Sequence, residues 1–199
     1  MRKIVLWGVV VAVAAGLTGE SCAAGKRGLE DAPIITSATY QHTQYNGRNQ
    51  PVEVKAAKED AAPFVVTYFR SEEDLERGLN GGPEPPAEVG DYYVRVERPE
   101  GNGYRQGNPI KIEYHIQKAF ITIAAEPVQR FPCDGKIKEI KAAAEPPVDP
   151  PLVFSYFAQG DTAALSSSPA KKGIYRVTVA FPGNERYMGA SRDIELWIE

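Results

Sequence analysis

The feature that most constrains the fold of this chain is an internal repeat. Residues 87–104 read AEVGDYYVRVERPEGNGY, and residues 170–187, 83 positions later, read AKKGIYRVTVAFPGNERY. Upstream of this stretch the offset is 88, since FVVTYF at 64–69 returns as LVFSYF at 152–157. Two copies in the same order predict two similar modules, each with its own hydrophobic core.

The two offsets differ by five residues, and the difference falls within one connection, the loop 70–89 of the first copy. A length change confined to one connection predicts a surface loop, because strands packed on a shared core cannot absorb it. The loop begins with SEED, in which Ser71 suits an N-cap and Asp74 follows three residues later. This pattern predicts one or two helical turns within 71–79.

The pattern Gly-x-Tyr-x-Val, at 90–94 and again at 173–177, predicts the start of a core strand in each copy. Apolar and polar residues alternate from Tyr92 and from Tyr175, as they do in a strand with one buried face. A glycine two residues before the tyrosine suits a turn that needs positive φ or the close passage of another backbone. In an immunoglobulin-like sandwich, a tyrosine at such a place points its hydroxyl back to a loop backbone.

Composition agrees with many short strands. The chain has 18 Gly, 16 Pro and 10 Tyr against 2 Met, and these residues favour turns and pleated surfaces over helices. We therefore predict an all-β protein of two tandem immunoglobulin-like β-sandwich modules after an N-terminal signal segment. The modules span 31–117 and 118–199, and the short junction between them predicts a semi-rigid rod. Further strands are expected at 34–40, 51–57, 110–116, 119–125, 136–142 and 194–198.

Residues 1–25 have the parts of an export signal: two basic residues, an apolar stretch over 4–17 and small residues near Cys22. Three outcomes stay open, namely lipidation at Cys22, cleavage after Ala23 or Ala24, and a retained anchor. Each predicts an exported protein of the periplasm, the outer membrane or the cell surface, in contact with a membrane only through this segment or a lipid.

The remaining residues carry no pattern of catalysis. Without 1–25 the chain holds 21 basic and 25 acidic residues, a net charge of −4, which disfavours a nucleic-acid partner. His42 and His115 are far apart in the sequence and lack the spacing of a metal site, and Cys133 has no nearby histidine and is expected to be at least half-buried. We expect no catalytic residue, no metal and no cofactor.

The repeated motifs resemble those of MBG domains, modules found in arrays in exported and surface proteins of bacteria. The resemblance covers about residues 31 to 199 and rests on the Tyr-Asn-Gly turn at 45–47, Val-Thr-Tyr at 66–68, GDYYVRV at 90–96, NGY at 102–104 and IQKA at 116–119. It implies an immunoglobulin-like β-fold and an adhesion-associated setting, and it supplies no catalytic or ligand residues. The motif residues with structural roles are Gly47, Tyr68, Gly90, Tyr92, Tyr104, Gly135, Tyr156, Gly173, Tyr175 and Tyr187.

The expected function is therefore noncatalytic, a binding or spacer module at the cell surface or in the periplasm. The partner is expected to be a protein or a glycan. Four residues are candidates for its contact: Tyr93, as an exposed aromatic, and the acidic group Glu72, Glu73 and Asp74. The alternative is a periplasmic assembly or inhibitor protein that acts through an exposed loop or a sheet edge.

Overall fold

The computed structural model describes residues 29–31, 34–57 and 63–199. The predicted signal segment, with Cys22, lies outside the described residues. Within them the chain forms ten strands and one short helix: β1 Tyr40–Gln44, β2 Val65–Phe69, α1 Glu72–Arg77, β3 Gly90–Glu97, β4 Ile110–Gln117, β5 Thr122–Ala125, β6 Val128–Phe131, β7 Ala142–Glu145, β8 Val153–Ala158, β9 Gly173–Phe181 and β10 Ala190–Ile198. The protein is all-β, as its composition predicts.

The repeat in the sequence is a repeat in the topology. The first four-stranded sheet has the order β1-β4-β3-β2 and the second has the order β6-β10-β9-β8. In each sheet the first strand runs parallel to its neighbour, and the other pairs are antiparallel. The two halves therefore share one strand arrangement.

Each four-stranded sheet packs its inner face on a smaller second layer. In the second half this layer is the antiparallel pair β5–β7, and in the first half it is reduced to the bridge between Ile35 and Ala56. The inner faces of the four-stranded sheets supply most of the two hydrophobic cores, one in each half. The predicted alternation holds, because Tyr92, Val94 and Val96 are buried while Tyr93 and Arg95 lie on the outer face.

The structure differs from the predicted strands where the chain passes from one layer to the other. The segment expected to be one strand over 34–40 bridges to the small layer at Ile35 and then enters the large sheet as β1. In the same way, 119–125 ends as β5 and the chain continues into β6, a strand outside the predicted set. The strand expected over 51–57 is reduced to a single bridge at Ala56. The strand expected over 136–142 begins only at Ala142, as β7. A crossing between layers leaves the hydrophobic alternation unbroken, so the pattern alone does not reveal it.

Candidate functional site

The outer face of the first sheet carries an aromatic and histidine cluster that the sequence did not predict. His42 on β1 and His115 on β4 are direct partners across the parallel pair, and His115 is also opposite Asp91 on β3. The His115 Nδ1 lies 2.6 Å from the Asp91 carboxylate. The ring centroid of Tyr40 lies 4.8 Å from that of His115 and 6.0 Å from that of His42. We call Tyr40, His42, Asp91 and His115 the outer-face cluster.

Accessibility within the outer-face cluster is uneven. The Tyr40 side chain is 55% exposed, and His42 is exposed beside it. The His115 Nε2 is buried and has no hydrogen-bond partner among the described residues. The Asp91 contact orients the His115 ring, and the ring in turn supports Tyr40. Across residues 29–31, 34–57 and 63–199, no group of three His, Cys, Asp or Glu side chains is placed to hold a metal ion.

Tyr93 lies on the same face, in the same cross-strand row as Tyr40, with Glu113 between them. It is half-buried, because the Lys111 ammonium sits 5.2 Å from its ring centroid. Lys111 also pairs with Glu72 of α1 and lies 3.9 Å from Glu113. The hydrogen bond to Glu72 raises the pKa of the Lys111 ammonium above its usual value. Tyr93 and Glu72 thus meet around one lysine, and a role for them in partner contact stays a prediction.

The other two acidic candidates stabilise α1. Ser71 is the N-cap, and its hydroxyl accepts a hydrogen bond from the Asp74 amide and donates one to the Asp74 carboxylate. That hydroxyl, followed by the Asn80 amide, lowers the pKa of Asp74. Glu73 pairs with Arg77 one turn later at 2.8 Å. These contacts explain the residues as helix-stabilising, whatever they contact outside the chain.

The loop 70–89 packs on the sheet near its middle, at Gly81 and Gly82. Gly81 lies against Phe69 so closely that an added Cβ would stand 2.4 Å from the Phe69 ring and 2.7 Å from the Thr67 methyl. Phe69, although it projects from the outer face, is only 2% exposed. The backbone of Gly82 exchanges two hydrogen bonds with Tyr68 at the free edge of β2. This part of the loop covers both the face and the edge of the sheet.

The motif tyrosines and glycines hold turns and strand ends. The hydroxyls of Tyr92 and Tyr175 each donate to a backbone carbonyl four residues earlier, at 2.8 and 2.9 Å. Gly173 does not have positive φ, and the Tyr175 ring lies about 3.3 Å from where its Cβ would be. Gly173 therefore makes room for the tyrosine ring, whereas Gly90 has a positive φ of 158°, with the Tyr92 ring 3.6 Å from where its Cβ would be.

The remaining motif residues are equally structural. Gly47 and Gly135 both have φ of 74° in turns where the preceding Asn46 or Asp134 side chain accepts from the backbone amide two residues on. The Tyr68 hydroxyl accepts from the Val52 amide. Burial raises the pKa values of three tyrosine phenols in the first core, those of Tyr68, Tyr92 and Tyr114. Three further tyrosines close corresponding turns or pack on a core: Tyr104, Tyr187 and Tyr156. Cys133, expected to be at least half-buried, is exposed because its turn projects from the module.

Side chains also join the two halves. The Arg186 guanidinium donates two hydrogen bonds to the Glu88 carboxylate, at 2.9 and 3.0 Å, and Glu88 raises the pKa of Arg186. Arg186 also lies 5.6 Å from the ring centroid of Tyr45, and Tyr187 packs edge-on against that ring. At the junction itself, Ala119 bridges to Tyr187. We call Tyr45, Glu88, Arg186 and Tyr187 the junction clamp.

Comparison with known proteins identifies no family for this chain. No family model matches the chain, so the MBG resemblance rests on its motif residues, and no curated protein sequence matches it. None of the helical segments that the structure describes is long and apolar enough to cross a bilayer.

Two of the solved structures that the chain resembles illustrate how remote the similarity is. One is Drosophila N-cadherin EC1-4, with 15% identity over 85% of this chain and a TM-score of 0.29, and the chain spans only 51% of that structure's length. The other contains the fibronectin(III)-like modules of Clostridium thermocellum CbhA, with 12% identity over 84% of this chain and 94% of that one, and a TM-score of 0.27.

Proposed function

We propose that this chain is a noncatalytic binding and spacing module of an exported bacterial protein, of the MBG type, and that it contacts its partner through the outer-face cluster. The observation that carries the proposal is Tyr40, a largely exposed aromatic ring on an open sheet face. Its neighbours His42, His115 and Asp91 add hydrogen-bonding groups around the ring.

This combination suits a glycan or a protein side chain. An exposed aromatic ring buries the apolar face of a sugar or a side chain, and polar groups beside it set orientation. The ring is held in advance, because Asp91 orients His115 and His115 lies against Tyr40. A surface that is ordered before binding loses less conformational entropy when its partner arrives.

The test is a titration against immobilised glycans and cell-envelope polysaccharides, comparing the unaltered chain with Tyr40→Ala. We expect the substitution to weaken binding by about tenfold or more, in line with loss of an aromatic anchor. Phe120→Ala is the matched control, because Phe120 is an exposed aromatic (65%) outside the outer-face cluster. An equal loss of binding affinity in both variants, or no loss of affinity in Tyr40→Ala, would contradict the proposed surface.

The proposed location has a separate test. The intact mass of the mature protein, isolated from membrane and periplasmic fractions, should begin at Cys22 with added acyl chains if the chain is lipid-anchored. It should begin at Ala24 or Gly25 without acyl chains if the chain is released. A full-length mass found only in the cytoplasmic fraction would overturn export itself.

The alternative, a periplasmic assembly or inhibitor protein acting through a loop or an edge, receives less support. The middle of loop 70–89 is packed against Phe69 at Gly81, and Gly82 occupies the β2 edge. A loop that covers its own sheet is poorly suited to presentation of a contact sequence.

A further inference from the structure

The second sheet has an open groove on its outer face. Its volume is about 640 Å³, and its floor is formed by β9 and β10, with the turn 158–161 and Val128 at its sides. Four charged side chains line it: Asp161, Arg176, Asp193 and Glu195. We call this the second-sheet groove.

The first module shows what can fill this position. The strand registers make Arg176 the counterpart of Tyr93, and Asp193 the counterpart of Lys111, because Val94 pairs with Ile112 as Val177 pairs with Ile194. In the first module, α1 follows β2 at this place and Glu72 pairs with Lys111. In the second module the connection after β8 is five residues shorter and forms no helix.

The contrast is visible in two equivalent phenylalanines. Phe69 of β2 and Phe157 of β8 pair with Tyr93 and Arg176, respectively. Phe69 is buried under the loop that carries α1, whereas Phe157 is only half-buried, with the Arg176 guanidinium 4.4 Å from its ring centroid. The second module therefore lacks the cover that the first supplies for itself.

The charge of the groove is inverted relative to the first module. Asp193 stands where the first module has Lys111, and the lining holds three carboxylates against one guanidinium. Asp193 lies 3.6 Å from Arg176, and Glu195 accepts a hydrogen bond from the Trp197 indole at 2.9 Å. An occupant with a lysine or arginine complements this lining. The acidic first turn of α1 from a second copy, with Glu72, Glu73 and Asp74, is repelled by it.

We propose that the second-sheet groove binds a short segment of a partner protein that presents a lysine or arginine to Asp193 and Glu195. The segment overlaps the place of α1 at Arg176 and Asp193, the counterparts of Tyr93 and Lys111. The site is separate from the outer-face cluster, so it does not depend on the function proposed above.

The experiment uses the chain's own helix segment as the probe. A synthetic peptide of residues 70–82 carrying Glu72→Lys is titrated into the full-length protein, and the unaltered 70–82 peptide serves as the charge control. Binding is followed by calorimetry and by the NMR signal of the Trp197 indole N–H, which donates a hydrogen bond to Glu195 in the groove. We expect the lysine peptide to bind about tenfold or more tightly than the control and to shift the Trp197 signal.

Variants assign the effect to the groove. Asp193→Asn and Glu195→Gln should each weaken the lysine peptide by about tenfold. Glu113→Gln, the corresponding change in the first module, should leave binding unchanged. Asp193 also accepts a hydrogen bond from the Thr178 hydroxyl, so its replacement could destabilise the fold. Thermal melting therefore checks the stability of each variant. If Asp193→Asn is unstable, the result for Glu195→Gln decides. Equal affinity of the two peptides, no binding by either, or binding unaffected by Glu195→Gln would overturn the proposal.

Discussion

At the scale of single residues, the repeated tyrosines hold backbone in place. Tyr92 is 3% exposed, and its hydroxyl donates to the carbonyl of Glu88. The side chain of that same Glu88 reaches Arg186 in the second module. A core tyrosine thus fixes the residue whose carboxylate crosses the junction, so the motif links packing inside one module to contact between modules.

The two motif tyrosines should respond differently to truncation. Tyr92→Phe should lower the free energy of unfolding by about 1 kcal/mol, because it removes one hydrogen bond, and Tyr92→Ala by about 3 to 5 kcal/mol, because it also empties a buried site. Tyr175→Ala should cost less, because Tyr175 is only half-buried. Urea denaturation measures all three, and a near-neutral Tyr92→Ala would show that the ring is not part of the first core.

Asp74 makes a prediction about pH. Its pKa is lowered in the folded chain by the Ser71 hydroxyl and the Asn80 amide, so the carboxylate stabilises the fold above its ordinary pKa of about 4. This contribution is lost as the pH falls through the lowered folded value. The difference in unfolding free energy between the unaltered chain and Asp74→Asn should therefore be present at neutral pH and shrink toward pH 3.

Glu76→Gln is the control for this measurement, because Glu76 is an exposed acid on the same helix. Its effect on the unfolding free energy should be small at every pH. If the difference in unfolding free energy between the unaltered chain and Asp74→Asn stays constant from neutral to acid pH, the ionised Asp74 carboxylate does not stabilise the helix cap.

At the scale of elements, loop 70–89 and its helix behave as a cover for the first sheet. Gly81→Ala should destabilise the protein by about 1 to 3 kcal/mol, because the new methyl group would enter the space of the Phe69 ring. Gly82→Ala is the matched control, since no atom lies within 4 Å of its added Cβ. Urea denaturation compares the two, and equal stabilities would mean that the loop is not packed on Phe69.

Local sequence patterns predict most of the strands and the helix. The remaining features depend on pairing between segments that are distant in the sequence. The alternation from Tyr92 onward and the SEED cap both follow from neighbouring residues, and both are confirmed. The outer-face cluster could not be found this way, because His42 and His115 become neighbours only through a parallel pairing of β1 with β4. No rule of spacing along the chain specifies that register. The sequence alone therefore does not indicate that the two histidines are neighbours.

At the scale of the whole molecule, the relative placement of the modules depends on more than their short connection. Ala119 is held by its bridge to Tyr187, and its amide donates to the Arg186 carbonyl. The Glu88–Arg186 pair adds a bidentate contact about half exposed to solvent. Exposed ion pairs contribute little to stability. The Glu88–Arg186 pair can still affect geometry. A two-point contact away from the connection limits the rotation of one half relative to the other.

We therefore expect Arg186→Ala to broaden the distribution of inter-module distances while leaving the melting temperature almost unchanged. The measurement is a spin-label distance distribution between Cys133, which is exposed in the second module, and a label introduced by Glu84→Cys in the first, with Cys22 replaced by serine. Raising the salt concentration should also broaden the distance distribution of the unaltered chain, because the Glu88–Arg186 pair is solvent-accessible and is screened by salt. Arg130→Ala is the control, since Arg130 likewise pairs with a carboxylate, Glu199, and stacks on Trp197, but entirely within the second module. If Arg186→Ala leaves the distribution as narrow as Arg130→Ala does, the Glu88–Arg186 pair has no part in limiting the rotation of one half relative to the other.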